Sequence, residues 1–136
     1  MILELALMKL LDTDILIDHF HGHRAALDFI RQQLEQGETL AISVVSVTEF
    51  SGGMRPTEEP QTERLLGLFT VLPVDENIAW QAGAYLRQFR RSHRLELGDA
   101  LIAATALQHQ AELITRNLKH YPMADLTITA PYERGR

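Results

Sequence analysis

No cysteine occurs in the 136 residues, which excludes a disulfide framework and a thiolate metal site and suits a reducing compartment. Lysine is nearly as scarce: of 13 basic residues only Lys9 and Lys119 are lysines, so chemistry that needs a mid-chain lysine has no candidate. No apolar run approaches the roughly 20 residues of a membrane-crossing helix. The opening MILELALMKLLDTD carries Glu4 and Asp12 where a secretion signal needs a longer uncharged core. These absences predict a cytoplasmic protein with no membrane association. Positive charge is also in deficit, at −5 net. Affinity for nucleic acid comes largely from neutralising phosphates with Lys and Arg, so a generic polyanion-binding surface is excluded and only local charge is left to supply one.

With 46% hydrophobic residues, the chain is long enough to bury roughly two-thirds of its unfolded surface in one domain and too short for two. LMKLLDT is a short apolar run with a polar end, a strand signal, and DILIDHF then starts a short helix with Asp14 in its first turn. RAALDFIRQQLEQG has helical spacing and stops at Gly37; TLAIS is strand-like; VVSVTEFSGGM is a helix broken by Gly52 and Gly53. After the polar RPTEEPQ come a helix around TERLLGLF, a strand at TVLPV, a long amphipathic helix over 75–93, a buried helix at DALIAATALQHQ, and strands at AELIT and LTITA. Strands that are apolar on both faces and alternate with helices predict an α/β fold: a central parallel twisted sheet of four to five strands with helices on both faces. No repeat, low-complexity tract or linker is present.

In open parallel sheets the ligand crevice lies beyond the carboxyl ends of the strands, where strand order reverses. Asp12 ends the first strand, Glu49 lies in the helix after the second, Asp99 opens the buried helix, and Thr115, Arg116 and Asn117 leave the strand that follows it. All of these are placed to face one crevice. Structural roles compete with a functional one: Asp14 and Asp99 suit helix N-termini, and Ser46 to Glu49 has the spacing of a capping box. Asp12 differs, because a carboxylate between an apolar strand and a helix start is partly desolvated and needs a partner. A shared divalent ion is the economical one, and oxygen-only ligands suit Mg²⁺ or Mn²⁺. The DTD motif also resembles the nucleophile and acid pair of haloacid-dehalogenase-type phosphatases. Those enzymes need a lysine between that motif and a late acidic pair, and here neither the lysine nor the second acid exists. A phospho-receiver domain fails similarly, with only Asp75 after TVLPV. His19, His21 and His23 stand two residues apart, share no helix face, and are expected in a solvated loop. Arg87, Arg90, Arg91 and Arg94 follow the i, i+3, i+4, i+7 rule, which gives either a solvated helix face or a phosphate-binding one.

Taken in order, LLDTDILID, SVVSVTEFSGG, LELGDALIAATALQHQAELITRN and LKHYP resemble the PIN-domain family, in particular the ribonuclease toxins of VapBC-type toxin–antitoxin pairs. The likeness runs from about residue 8 to residue 130. Met8 resembles the usual start of such toxins, so residues 1–7 are expected to be an N-terminal extension and 8–136 the PIN domain. The resemblance implies a metal site of Asp12, Glu49 and Asp99, Asn117 at a fourth catalytic position, and Thr13 and Thr115 as supporting hydroxyls. Asn117 departs from the family's fullest pattern, being an amide where a carboxylate is common, and His120 stands where an acid often follows; both put a second ion in doubt. Asp14 then either compensates or caps the first helix, and the cap is the preferred reading.

The implied activity is Mg²⁺-dependent endoribonuclease chemistry, with Mn²⁺ as the other ion, in which activated water attacks the phosphodiester and leaves 5′-phosphate and 3′-hydroxyl ends. Arg116 is the candidate phosphate contact, and the Arg87, Arg90, Arg91 and Arg94 face guides RNA, whether tRNA, rRNA or mRNA, toward the acidic pocket. The implied partners are a VapB-type antitoxin lying over DILIDHF and FSGGM, and a second copy in a homodimer. A catalytically weak PIN domain that only binds RNA or protein is the competing reading, motivated by Asn117.

Overall fold

Residues 8–133 are described by a computed structural model. Residues 1–7, expected to be an extension, lie outside the described residues. The chain runs through β1 (Lys9–Leu11), α1 (Thr13–Phe20), α2 (Arg24–Glu35), β2 (Leu40–Ser43), α3 (Val44–Ser51), α4 (Glu59–Leu66), β3 (Thr70–Leu72), α5 (Glu76–His93), α6 (Leu97–Gln108), β4 (Glu112–Ile114) and β5 (Ile128–Thr129). Short 3₁₀ turns at Pro56–Glu58 and Leu118–His120 precede α4 and follow β4. The five strands are all parallel and lie in the order β3-β2-β1-β4-β5.

The side-chain alternation of the strands divides the core. Leu10, Ala41 and Leu113 point to the face covered by α5 and α6, where Ile78, Ala82, Tyr85 and Ile102 pack. Their neighbours Leu11, Leu40, Ile42 and Ile114 point to the opposite face, against Ile15, Leu16, Ile30, Phe50 and Leu65 from α1 to α4. Both faces are covered, which is why the strands read as continuous apolar runs. Helix α6 buries Ala100, Ile102, Ala103, Ala104, Thr105 and Ala106, more than one stripe, as a helix enclosed on several sides must.

The chain builds outward from β1 through β2 to β3 and then returns to β4 on the other side of β1. Connections leaving β1 and β4 therefore diverge, and a crevice opens between them at their carboxyl ends. At that point Asp12 N donates to Ile114 O at 2.8 Å, fixing the two strand ends to each other.

Several expectations need correcting. Ser46 and Glu49 do not form a capping box: α3 begins at Val44, directly after β2, and its N-cap is Ser43, whose hydroxyl accepts from Val45 N at 3.0 Å. The cap of α1 is Asp12 and not Asp14. The arginine stripe is shorter than the spacing implied, since α5 ends at His93 and Arg94 turns into the left-handed region at φ 52°. Arg87, Arg90 and Arg91 remain on α5, exposed. The expected solvated loop is confined to the turn between α1 and α2, where His21 and Gly22 are exposed, since His19 belongs to the last turn of α1 and His23 is the N-cap of α2 with its ring stacked on Tyr132 at 5.3 Å. Among the described residues no helix is long and apolar enough to cross a membrane.

Candidate active site

Asp12 is the hub. It leaves β1 in extended conformation, caps α1, and is 7% exposed. Its Oδ1 accepts from Thr13 N at 2.8 Å, and its Oδ2 accepts from the hydroxyls of Thr115 and Tyr121, each at 2.9 Å. Burial pushes the Asp12 carboxyl above its ordinary value, with the Asp99 charge adding to the rise, while those three donors pull it back. Burial keeps the Tyr121 phenol far above its ordinary value too, with the nearby acids contributing, so it stays a protonated donor.

The other acids are tied to this hub through hydroxyl groups. Tyr121 OH also lies 3.3 Å from Asp99 Oδ1, and Asp99 Oδ2 accepts from Glu96 N at the start of α6 at 3.3 Å. Thr13 Oγ1 donates to Glu49 Oε1 at 2.6 Å and lies 2.9 Å from Ser46 Oγ, which explains a buried serine inside α3. Glu49 comes so close to α6 that, where it now stands, it leaves no room for a Cβ at Gly98: an added methyl would overlap Glu49 Oε2 and stand 3.2 Å from its Cδ.

Asp14 faces the same crevice. Its Oδ2 accepts from Arg116 N at 3.3 Å and lies 3.3 Å from Thr115 Oγ1, whose one proton is nearer Asp12, while its Oδ1 is buried without a hydrogen bond. Burial first, and the Asp12 charge second, raise Asp14 to about 7. Arg116 Nε stands 3.1 Å from Asp18 Oδ2 and 3.8 Å from Asp14 Oδ2, in the geometry of an ion pair and not of an aligned hydrogen bond. Tyr132 OH donates to the same Asp18 oxygen at 2.9 Å.

Three comparisons with known proteins bear on this arrangement. The PIN-domain family model matches residues 9–126. The chain is 49% identical over 117 residues to Ribonuclease VapC10 of Mycobacterium tuberculosis, covering 85% of this chain and 87% of that one. The chain belongs to the VapC ribonucleases of the PIN-domain family. Ribonuclease VapC19 of the same organism is 38% identical over 117 residues, covering 85% of this chain and 94% of that one. Among solved structures, a toxin–antitoxin complex from Klebsiella pneumoniae superposes with a TM-score of 0.71 at 34% identity, covering 92% of this chain and 98% of that one.

In this VapC-family chain the sequence-designated residues separate into two groups. Asp12, Thr13, Glu49, Asp99 and Thr115 are linked by the hydrogen bonds just described. Asn117 joins through its backbone, whose N–H donates to Thr115 Oγ1 at 3.0 Å, and its side chain is exposed. Sequence reasoning left Asp14 as a cap, did not single out Tyr121, and passed over Gly98 and Asp18. The tyrosine of LKHYP was in view as part of a motif, yet nothing in one sequence shows that its hydroxyl reaches an acid that lies far ahead of it in the chain.

Among the described residues no three His, Cys, Asp or Glu side chains form a ready-made metal cage. The donor set is all oxygen, an unpartnered carboxylate oxygen of Asp14 is buried beside Asp12, and Gly98 leaves room for Glu49 next to Asp99. Chemically these residues suit a hard divalent cation, and Asp12, Glu49 and Asp99 are the carboxylates that would hold one.

Proposed function

We propose that this chain is the toxin of a toxin–antitoxin pair and cuts RNA as an endoribonuclease dependent on Mg²⁺ or Mn²⁺. The observation that carries the reading is the hydrogen-bonded set Glu49–Thr13, Asp12–Tyr121–Asp99 and Asp12–Thr115–Asp14 at the switch point of a parallel sheet. An ion bound there supplies water activation and offsets charge that builds on the phosphate in the transition state. The protein's own residues prepare the ground for it. Thr13 N, Thr115 and Tyr121 fix the Asp12 carboxylate in one orientation, Thr13 holds Glu49, and Glu96 N holds Asp99.

RNA reaches an acidic pocket only if positive charge guides it. Arg87, Arg90 and Arg91 on α5, with Arg94 in the connection to α6, supply that face just ahead of Asp99. The Nε edge of Arg116 is committed to Asp18, so a phosphate would meet its terminal nitrogens. Between α1, α3 and α4 lies a cleft of about 220 Å³, lined by Ile17, Phe20, Glu49, Phe50 and Met54. This apolar cleft with the candidate ligand Glu49 on its rim suits an antitoxin segment that covers the site, and the active unit is a homodimer at work in the cytoplasm.

The test is cleavage of total cellular RNA by the purified chain with Mg²⁺, Mn²⁺ or EDTA, beside Asp99→Asn. Discrete fragments with 5′-phosphates, lost in EDTA and in the variant, are expected. Inertness of both proteins with the ion bound would replace the enzyme by a binding module.

A further inference from the structure

Tyr121 is 4% exposed, and its ring belongs to the core beneath α5 and α6. Its hydroxyl is therefore not free to swing away, and it sits between two carboxylates, 2.9 Å from Asp12 Oδ2 and 3.3 Å from Asp99 Oδ1. A phenol has one proton to give, so it serves one acid at a time and stands near the other. Asp12 arrives from the end of β1 and Asp99 from the first turn of α6. Nothing covalent keeps these two acids together, and as neighbouring anions they repel.

We infer that the Tyr121 hydroxyl is a built-in stand-in for the cation: in the ion-free protein it bridges Asp12 and Asp99, and an arriving ion displaces it from at least one of them. This rests on the metal-site reading of Asp12 and Asp99 and adds a role for a residue outside that set. Tyr121 is a positioning residue, acting through the acids and not on the substrate. Its presence makes the ion-free site tolerable and makes ion binding weaker than the bare carboxylates would allow, since each ion bound costs a hydrogen bond to a charged group.

The experiment compares the full chain with Tyr121→Phe, which keeps the buried ring and deletes only the hydroxyl. Mn²⁺ binding is measured by calorimetry, and melting is followed in EDTA and in saturating Mn²⁺. One hydrogen bond to a charged group corresponds to about tenfold or more in an equilibrium constant. Tyr121→Phe is expected to melt lower in EDTA, to bind Mn²⁺ about tenfold more tightly, and to gain more from the ion than wild type does. Tyr85→Phe is the control: its hydroxyl donates to Asp125 at 3.0 Å, away from the site, and its loss should leave Mn²⁺ affinity unchanged.

Equal or weaker Mn²⁺ binding by Tyr121→Phe overturns the inference alone. Absence of binding by wild type overturns the ion site and the inference with it. Should Tyr121→Phe fail to fold, wild type labelled with 3-fluorotyrosine decides the matter by ¹⁹F NMR. The chain has three tyrosines, so Tyr85→Phe and Tyr132→Phe assign the third resonance. Saturating Mg²⁺ should shift the Tyr121 signal, and a signal unmoved at saturation refutes the displacement.

Discussion

Gly98→Ala isolates what Glu49 does in its present position. Gly98 is the second residue of α6 and is not among the left-handed glycines, which are Gly22 and Gly37 among the described residues, so alanine fits its backbone. What does not fit is the methyl group, which would overlap Glu49 Oε2 and stand 3.2 Å from Cδ. Glu49 is exposed and has three rotatable bonds, so it rotates away without disturbing the core. Two stability terms then oppose each other. Alanine gains up to about 1 kcal/mol over glycine in a helix, less in a first turn, and the Thr13–Glu49 hydrogen bond, worth about 1.5–3 kcal/mol if fully formed and buried, is weakened at this exposed site. The net change in unfolding free energy should stay within about 1 kcal/mol, whereas misplacing a metal-holding carboxylate should lower Mn²⁺ affinity by about 10- to 100-fold. Urea unfolding, Mn²⁺ calorimetry and RNA cleavage on one preparation separate these effects. The Gly98→Ala, Glu49→Gln double variant should be no worse than Glu49→Gln alone, because both act on one group. Full ion affinity and full cleavage in Gly98→Ala would show that Glu49 is not needed where it stands, and would remove it from the site.

Two further outcomes follow from the charges. Asp14 is raised to about 7 in the folded protein. Below about pH 4 it is protonated in both states; between there and pH 7 the folded state holds its proton while the unfolded state has lost it. Stability in EDTA should therefore fall as pH rises from about 4 to 7, by at most about 4 kcal/mol from this group, and then level off. Asp14→Asn should flatten that fall in urea titrations at pH 5 and 7.5, and an unchanged slope refutes the assignment. Replacing Arg87, Arg90 and Arg91 together by Gln should leave Mn²⁺ affinity intact and reduce the salt dependence of RNA binding, log K against log salt, by about 2 if all three meet phosphates. An unchanged slope would return them to a solvated helix face.

The layered fold was legible because its signals are local or periodic. Leu10 and Leu11 are both apolar because they feed different cores, and a sequence with no polar alternation in its central strands admits few other architectures. The acids were legible through position relative to strand ends. What failed did so at element termini, where one residue decides. Whether Asp12 or Asp14 caps α1 depends on where β1 stops, and whether Arg94 continues the arginine stripe depends on a left-handed turn without a glycine to announce it. Tyr121 and Gly98 were illegible for a stronger reason. Each matters only through a group brought to it by the fold, Asp12 and Asp99 in one case and Glu49 in the other, and a side chain's own sequence context carries no trace of such a neighbour.

The state of Asp12 bears on the proposed cation. Burial favours its neutral acid, and three donors favour its carboxylate. A buried carboxyl that is raised on balance yet accepts three hydrogen bonds has little reason to be this well oriented if its task were only to cap an eight-residue helix, since an N-cap works at the surface with one accepting oxygen. Here Oδ1 performs the capping, and Oδ2 is held by hydroxyls from residues that follow β4. The second oxygen is thus aimed across the strand order reversal, toward Asp99 and Asp14, where like charges accumulate. Asp12 and Asp99 are neighbouring carboxyls with the Tyr121 hydroxyl between them, and a divalent ion held there, as proposed above, would relieve their repulsion. That repulsion accounts for the place of Tyr121 and adds to a rise of Asp14 that burial causes first, and it predicts that EDTA, not mutation of any single acid, uncovers the least stable form of the folded protein.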